Sequence, residues 1–218
     1  MQNDFSKFNV DCRLCPRLAD FLDEVGRQYP DYHARPVASF GATDARLLIV
    51  GLAPGMHGAN ATGRPFTGDH AGIMLYQTMH AFGHASAPES ISRDDGLMLS
   101  NCRITNAVKC LPPQNKPVGD EINRCNQYLH HEIHGLPENS VVLALGTIAH
   151  NAVLKSLGLK MGAFKFGHNA VHKLDGIGWM VDSYHCSRYN TQTRRLTAAM
   201  FNDVFATARA HLDAAAAA

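Results

Sequence analysis

Six cysteines stand at positions 12, 15, 102, 110, 125 and 186. Cys12 and Cys15 form a C-x2-C pair. Cys110 and Cys125 form a C-x14-C pair, with 94 residues between Cys15 and Cys110. Four thiolates can close one tetrahedral site, and zinc and iron–sulfur clusters both use four. Spacing does not choose between those metals, nor between a metal site and two unrelated buried pairs. Cys102 lies in an apolar run and reads as a small core residue; Cys186 is left over. The other concentration of chemistry is Arg46–Asp69, RLLIVGLAPGMHGANATGRPFTGD. It combines glycines, which let backbone bend tightly and approach a ligand, with Asn60, Phe66 and Asp69. Asp69 is the only carboxylate between residues 45 and 88. Further on, Asn106 and the run Asp182–Thr193 (DSYHCSRYNTQT) add amide, imidazole, hydroxyl and guanidinium groups. The segment His130–His134, HHEIH, is not the zinc-protease arrangement, which needs Glu directly after the first of two histidines four apart. It reads as a polar helix end.

Residues so far apart need a scaffold that gathers them. Leu47 to Val50 is an apolar run that reads as a buried strand, ending at Gly51. A helix pattern follows from His70 to Phe82. Arg103 to Val108 reads as a strand with Asn106 at its carboxyl end, and Pro112-Pro113 ends any regular element. Val118 to His134 is a helix pattern. Val141 to Leu145 is a strand, and a helix follows Gly146-Thr147 without the G-x-G-x-x-G spacing of a dinucleotide fingerprint. Residues 161–178 are irregular, with room for a hairpin. Trp179 to Val181 is a fourth strand, and Leu196 to Leu212 is the last helix. The C-x2-C pair precedes another helix pattern (Leu18, Phe21, Leu22, Val25), but no strand precedes it, as a thioredoxin-type dithiol requires. Strands alternating with helices predict an α/β fold: a three-layer α/β/α sandwich with a central parallel four-stranded sheet. Three strand tips then carry polar loops on one edge, over 51–69, 106–117 and 183–193. Open α/β sheets place their sites there.

Composition narrows the class. The chain has 218 residues, 45% hydrophobic and 18% charged, with no repeat. That predicts a single domain over 1–218, with 1–45 as an N-terminal segment and a frayed tail over 214–218. Net charge is +1, so bulk electrostatics do not announce nucleic acid. Residues 1–100 hold 8 Lys+Arg against 11 Asp+Glu, whereas 101–218 hold 12 against 8, so any basic face comes from the second half. The first residues, MQNDFSKFNVDC, lack the apolar core of a signal peptide, and no run has the length of a membrane span. The expected location is cytoplasmic, not secreted, where cysteines serve as thiols or metal ligands.

Three segments together are specific. Gly51-Leu52-Ala53-Pro54-Gly55 with His57-Gly58 and Arg64–Asp69 resembles the first motif of uracil-DNA glycosylases. Thr105–Pro113 (TNAVKCLPP) resembles the segment of the iron–sulfur types, and His185-Cys186-Ser187 resembles the closing His-Pro-Ser motif. The match is closest to family five and runs from about Cys12 to Leu196. The resemblance implies a [4Fe–4S] cluster on Cys12, Cys15, Cys110 and Cys125, making residues 1–45 a cluster-binding segment. It implies base binding by Gly51, Ala53, Phe66 and Asn106. Phe66 would stack on a flipped base, and the Asn106 amide would read the imide edge of uracil. His185 would donate to the departing base oxygen. Ser187, Arg188, Tyr189 and Asn190 would hold DNA. Leu52 and Ala53 stand where other families carry Glu or Asp, so Asp69 or Asn60 is left to orient the water. The apolar pair also implies a roomier pocket that takes hypoxanthine or xanthine besides uracil. Cys186 departs from the usual proline, which would stiffen the loop. Lys109 is expected on phosphate, with no strand-cutting activity. The expectation is a monofunctional DNA glycosylase of base excision repair, a nucleoid-associated monomer with DNA as its partner and no obligate protein partner. Its rivals are an iron–sulfur redox sensor and a nucleic-acid-binding module without catalysis.

Overall fold

The computed structural model describes residues 8–214. Residues 1–7 of the N-terminal segment, and all of the alanine tail but Ala214, lie outside them. In chain order the elements are α1 (Pro16–Gln28), β1 (Phe40–Gly41), β2 (Leu47–Gly51), α2 (Ala59–Thr62), α3 (His70–Ala81), β3 (Cys102–Asn106), α4 (Gly119–His134), β4 (Ser140–Leu145), α5 (Thr147–Ser156), β5 (Val171–Leu174), β6 (Gly178–Ser183), α6 (Arg188–Gln192) and α7 (Ala198–Ala214).

The sheet has six strands in the order β1-β3-β2-β4-β6-β5. The four strands expected from sequence are β3, β2, β4 and β6, and they are mutually parallel. The expected count of four is corrected to six by an antiparallel strand at each edge: β1 on β3 and β5 on β6. Both escaped periodicity for a physical reason. β1 is two residues long, and β5, Val-His-Lys-Leu, is largely exposed and polar, as edge strands are.

The central strands are apolar throughout because both faces are covered. Leu47, Ile49, Val141, Leu143 and Val181 point to one core, shared with Leu75 and Met79 of α3 and Phe201, Val204 and Phe205 of α7. Leu48, Val50, Val142, Ala144 and Met180 point to the other, with Leu129 and Ile133 of α4 and Val153 and Leu154 of α5. A third cluster lies beyond the sheet, where Leu18, Leu22 and Val25 of α1 meet Val108, Leu111 and Tyr128. Pro16 starts α1 at a position where its missing N–H costs nothing. Each of those three buried side chains stabilises the docking of α1 by about 1.5–3 kcal/mol.

Candidate active site

β2 runs between β3 and β4, so the chain leaves it to one side and later returns on the other. The crevice beyond the carboxyl ends of such strands is the expected site. Gly51 and Asn106 are paired in register as the last residues of β2 and β3. A Cβ on Gly51 would lie 2.4 Å from Asn106 Oδ1 and 2.6 Å from the tip of the Phe66 ring. Glycine is needed here so that an aromatic ring and an amide can cross the strand tip. Phe66 is held at φ 55°, a left-handed conformation that costs a bulky residue on the order of 1–3 kcal/mol. Strain of this kind concentrates at ligand sites.

An open cleft of about 1060 Å³, its mouth included, is lined by Leu52, Ala53, Phe66, Asp69, Asn106 and His185, with Ser187 and Arg188 at one side. Asn106 is 4% exposed, and its Oδ1 is buried without a hydrogen-bond partner among the described residues. An unpaired buried amide oxygen costs about 1–3 kcal/mol unless a ligand meets it. The rings of Phe66 and His185 face each other at 28°, centroids 6.0 Å apart. Burial pushes the His185 imidazole down to about 4, so it is neutral near pH 7. Gly146 follows β4 at φ 94°, a conformation that favours glycine, and lies beside His185, whose Cβ a side chain at 146 would meet at an ordinary contact distance of 3.5 Å.

Asp69 caps α3, its Oδ1 accepting from the Gly72 N–H at 2.8 Å. Its other oxygen lies against Gly55 and Gly58; a Cβ on Gly58 would come within 2.7 Å of it. Burial raises the Asp69 pKa, and bonds from the backbone N–H groups of α3 oppose that shift. Asn60, by contrast, is fully buried in α2 and does not line the cleft; its Nδ2 reaches Met56 O at 3.5 Å. Ser187 caps α6, accepting from the Asn190 N–H at 3.4 Å. Asn190 Nδ2 donates to His185 O at 2.8 Å, so that residue fixes the backbone of the histidine loop. Tyr189 is 70% exposed.

A family model described as "Uracil DNA glycosylase superfamily" matches residues 38–209. The chain belongs to the uracil DNA glycosylase superfamily. Proteins named "Type-5 uracil-DNA glycosylase" are similar over nearly their whole length. The one from Thermus thermophilus is 48% identical over 203 residues, covering 91% of this chain and 92% of the relative. Those from Pyrobaculum aerophilum and Mycobacterium leprae are each 41% identical, over 95% and 91% of this chain and 92% and 90% of the relatives.

Three further residues of this superfamily member shape the site and were not singled out from sequence. His70, the first residue of α3, lines the cleft and bonds Thr191 Oγ1 at 2.9 Å through Nε2. Asn115 lines it from the turn after Pro112-Pro113, at φ 56°. Gly146 read only as a helix start. None carries a periodicity signal; His70 could have been found from its place beside the lone carboxylate.

Lys109 corrects an expectation. It is buried, its Nζ 3.0 Å from Glu132 Oε2 and also bonded to Ser39 and Thr105. Buried and bonded to these three partners, the ammonium is not presented for the phosphate contact expected of it. The same pair explains Glu132 in the HHEIH segment. His130 and His134 there bond the carbonyls of Ser156 and His130, as a polar helix end would.

Cys12, Cys15, Cys110 and Cys125 line one small cavity, of about 20 Å³, walled by Leu18, Ala19, Val108 and Tyr128. The backbone N–H of Lys109 donates to Cys125 Sγ at 3.2 Å. Burial raises the Cys110 and Cys125 thiols, the latter to about 11. Thiolates around a single zinc ion stand about 3.8 Å apart. Among the described residues, the one group of three or more potential ligand atoms within 4.8 Å of one another is His150, His172 and Asp182. No three of the four sulfurs lie that close together. Cys102 and Cys186 are fully buried and separate from this cavity. No described helix is long and apolar enough to cross a membrane.

Proposed function

We propose that the cleft hydrolyses the N-glycosidic bond of uracil in DNA, as a monofunctional glycosylase of base excision repair. The observation that carries this reading is the buried, unpaired Asn106 amide facing a cleft that also holds Phe66 and His185. A glycosylase extrudes its base into such a pocket and reads it there. Phe66 supplies the stacking surface. Asn106 offers a donor and an acceptor, which suits the imide edge. As the C1′–N1 bond breaks, its electron pair passes to the base, and charge develops on the uracil oxygens. Neutral His185 donates a hydrogen bond to that charge without needing a prior proton. Asp69 is the carboxylate on the cleft wall, so it orients the water that adds to C1′. Asn60 does not reach that wall. Ser187, Arg188 and the exposed Tyr189 hold the DNA around the extruded nucleotide. Lys109 is committed to Glu132, and among the described residues that line the cleft there is no lysine to cut the strand.

Leu52 and Ala53 wall the cleft without a carboxylate. That supports a pocket wide enough for hypoxanthine or xanthine. The motif resemblance favours a [4Fe–4S] cluster over zinc, and the four cysteines lining one cavity supply the four thiolates that such a cluster takes. Held by Cys12, Cys15, Cys110 and Cys125, the cluster ties the segment before α1 to α4 and takes no part in the chemistry. The chain acts on DNA as a monomer in the cytoplasm, at the nucleoid.

Oligonucleotides carrying one uracil or one hypoxanthine test this. Wild type should release base and leave the strand intact until alkali. Asn106→Ala, His185→Ala and Asp69→Asn should each lose about 10²–10³-fold in rate, with Asn60→Ala losing much less. No release from either substrate by cluster-loaded protein would overturn the reading.

A further inference from the structure

Behind the cleft, on the far side of β6, lies a polar cluster that the chemistry above does not use. Asp182 is fully buried near the end of β6, three residues before His185, which lies in the loop that leaves that strand. Its Oδ1 is 2.8 Å from His150 Nδ1 on α5, and its Oδ2 is 3.0 Å from His172 Nε2 on β5. The Gly167 N–H also points to Oδ2, at 3.4 Å. The other ring nitrogen of His150 faces the Phe164 carbonyl at 3.1 Å. Both nitrogens of His150 therefore face acceptors, and only the imidazolium donates to both. The three side chains pin residues 164–172 to the end of β6.

That segment in turn holds the residue next to His185. The Tyr184 N–H donates to His168 Nδ1 at 3.2 Å, and the His168 ring stacks on the Tyr184 ring at 5.0 Å. The Arg195 guanidinium lies over the same tyrosine ring at 4.7 Å. Backbone bonds from Asn169 N to Asp182 O and from Asp182 N to Ala170 O close the ladder.

We propose that Asp182 is a positioning residue for His185: by bridging His150 and His172 it fixes the 164–172 segment, whose His168 holds Tyr184 and so sets the direction of the adjoining imidazole. The proposal rests on the glycosylase reading for what His185 does, but not for the geometry.

The arrangement has a pH signature. Among the described residues, the titratable groups meeting His150 are Asp182 of β6 and His172 of β5; the rings of Phe166 and His172 flank it edge-on. Burial disfavours charge on His150, but the Asp182 carboxylate and the Phe164 carbonyl together outweigh that, so its pKa is raised. The imidazolium is complete below the ordinary histidine range and is lost as pH rises through the raised value. Neutral His150 keeps its Nδ1–H on Asp182 and drops the Phe164 bond. Asp182→Asn removes this dependence. Its amide oxygen accepts from His172, its NH₂ donates to Nδ1 of neutral His150, and Nε2–H stays on Phe164.

The test compares wild type, Asp182→Asn and Asp182→Ala. Single-turnover uracil release is followed from pH 6 to 9.5, with DNA affinity, and hydrogen exchange of DNA-free protein is measured over 164–172 and 184–187. Asp182→Ala should slow base release at pH 7 about tenfold, keep DNA affinity within about twofold, and speed exchange in both segments. Asp182→Asn should restore release to within about threefold and lack the alkaline decline of wild type. If Asp182→Ala does not fold, the comparison of the Asn variant with wild type decides. Equal loss in both variants, or the same alkaline decline in Asp182→Asn, would overturn the proposal. If wild type releases no base, the glycosylase reading fails by itself, and the exchange pattern still decides the geometry.

Discussion

At the scale of single residues, the cleft is built by what is left out. Gly51 lacks the one atom that would collide with both Asn106 and Phe66. Replacing it with Ala inserts a methyl at 2.4 and 2.6 Å from those groups, and neither can withdraw easily: Asn106 is locked in a strand and Phe66 is already strained. Gly51→Ala should cost about 1–3 kcal/mol of stability and should lower base release more than DNA affinity. Urea unfolding and single-turnover kinetics check both halves. An alanine variant with wild-type kinetics would show that the ring and amide need not share that strand tip. The Arg64 guanidinium works in the opposite sense, filling space. It is nearly fully buried, bonds Thr67, Ser90 and Asp95, and staples the 88–96 loop to the loop that carries Phe66.

At the scale of elements, the decisive contact is between the loop after β3 and α4. Lys109 and Glu132 form a buried pair, with Ser39 and Thr105 satisfying the remaining valences. Lys109 also offers its N–H to Cys125, so the ion pair and the cysteine cavity share one stretch of backbone. Removing one partner leaves the other charge stranded. Glu132→Gln should cost about 3–5 kcal/mol, lowering the melting temperature by roughly 6–20 °C for a chain of this size. Lys109→Met with Glu132→Leu should cost less than Glu132→Gln alone, because no buried charge remains. A single variant within about 1 kcal/mol of wild type would show that the pair is solvated in solution.

At the scale of the whole molecule, the sheet and its two cores stand on apolar burial, whereas α1 stands on a smaller cluster beside the cysteine cavity. Removing iron from the loaded protein by oxidation and chelation should therefore loosen α1 and the segment before it first. Limited proteolysis should cut within residues 8–36 well before the 47–183 body, and the melting temperature should fall. Unchanged cleavage after complete iron loss would remove the structural role assigned to the cluster. Base release should outlast the first cuts, since no cleft residue comes from that segment.

The sequence by itself determined the four parallel strands, because burial on both faces demands runs such as LLIV and VVLAL that carry no polar residue. It determined that Gly51, Phe66, Asp69, Asn106 and His185 belong to strand-tip loops, and the parallel order then forces those tips to one edge. Only the tertiary structure decided the rest. It brought Asp69 to the cleft wall and left Asn60 beneath it, since a carboxylate capping α3 and an amide inside α2 differ in direction, not in spacing. It buried Lys109, because the partner that claims it, Glu132, lies 23 residues on in another element. It also joined Asp182 to His150 and His172, a contact between a strand, a helix and an edge strand that no local pattern encodes.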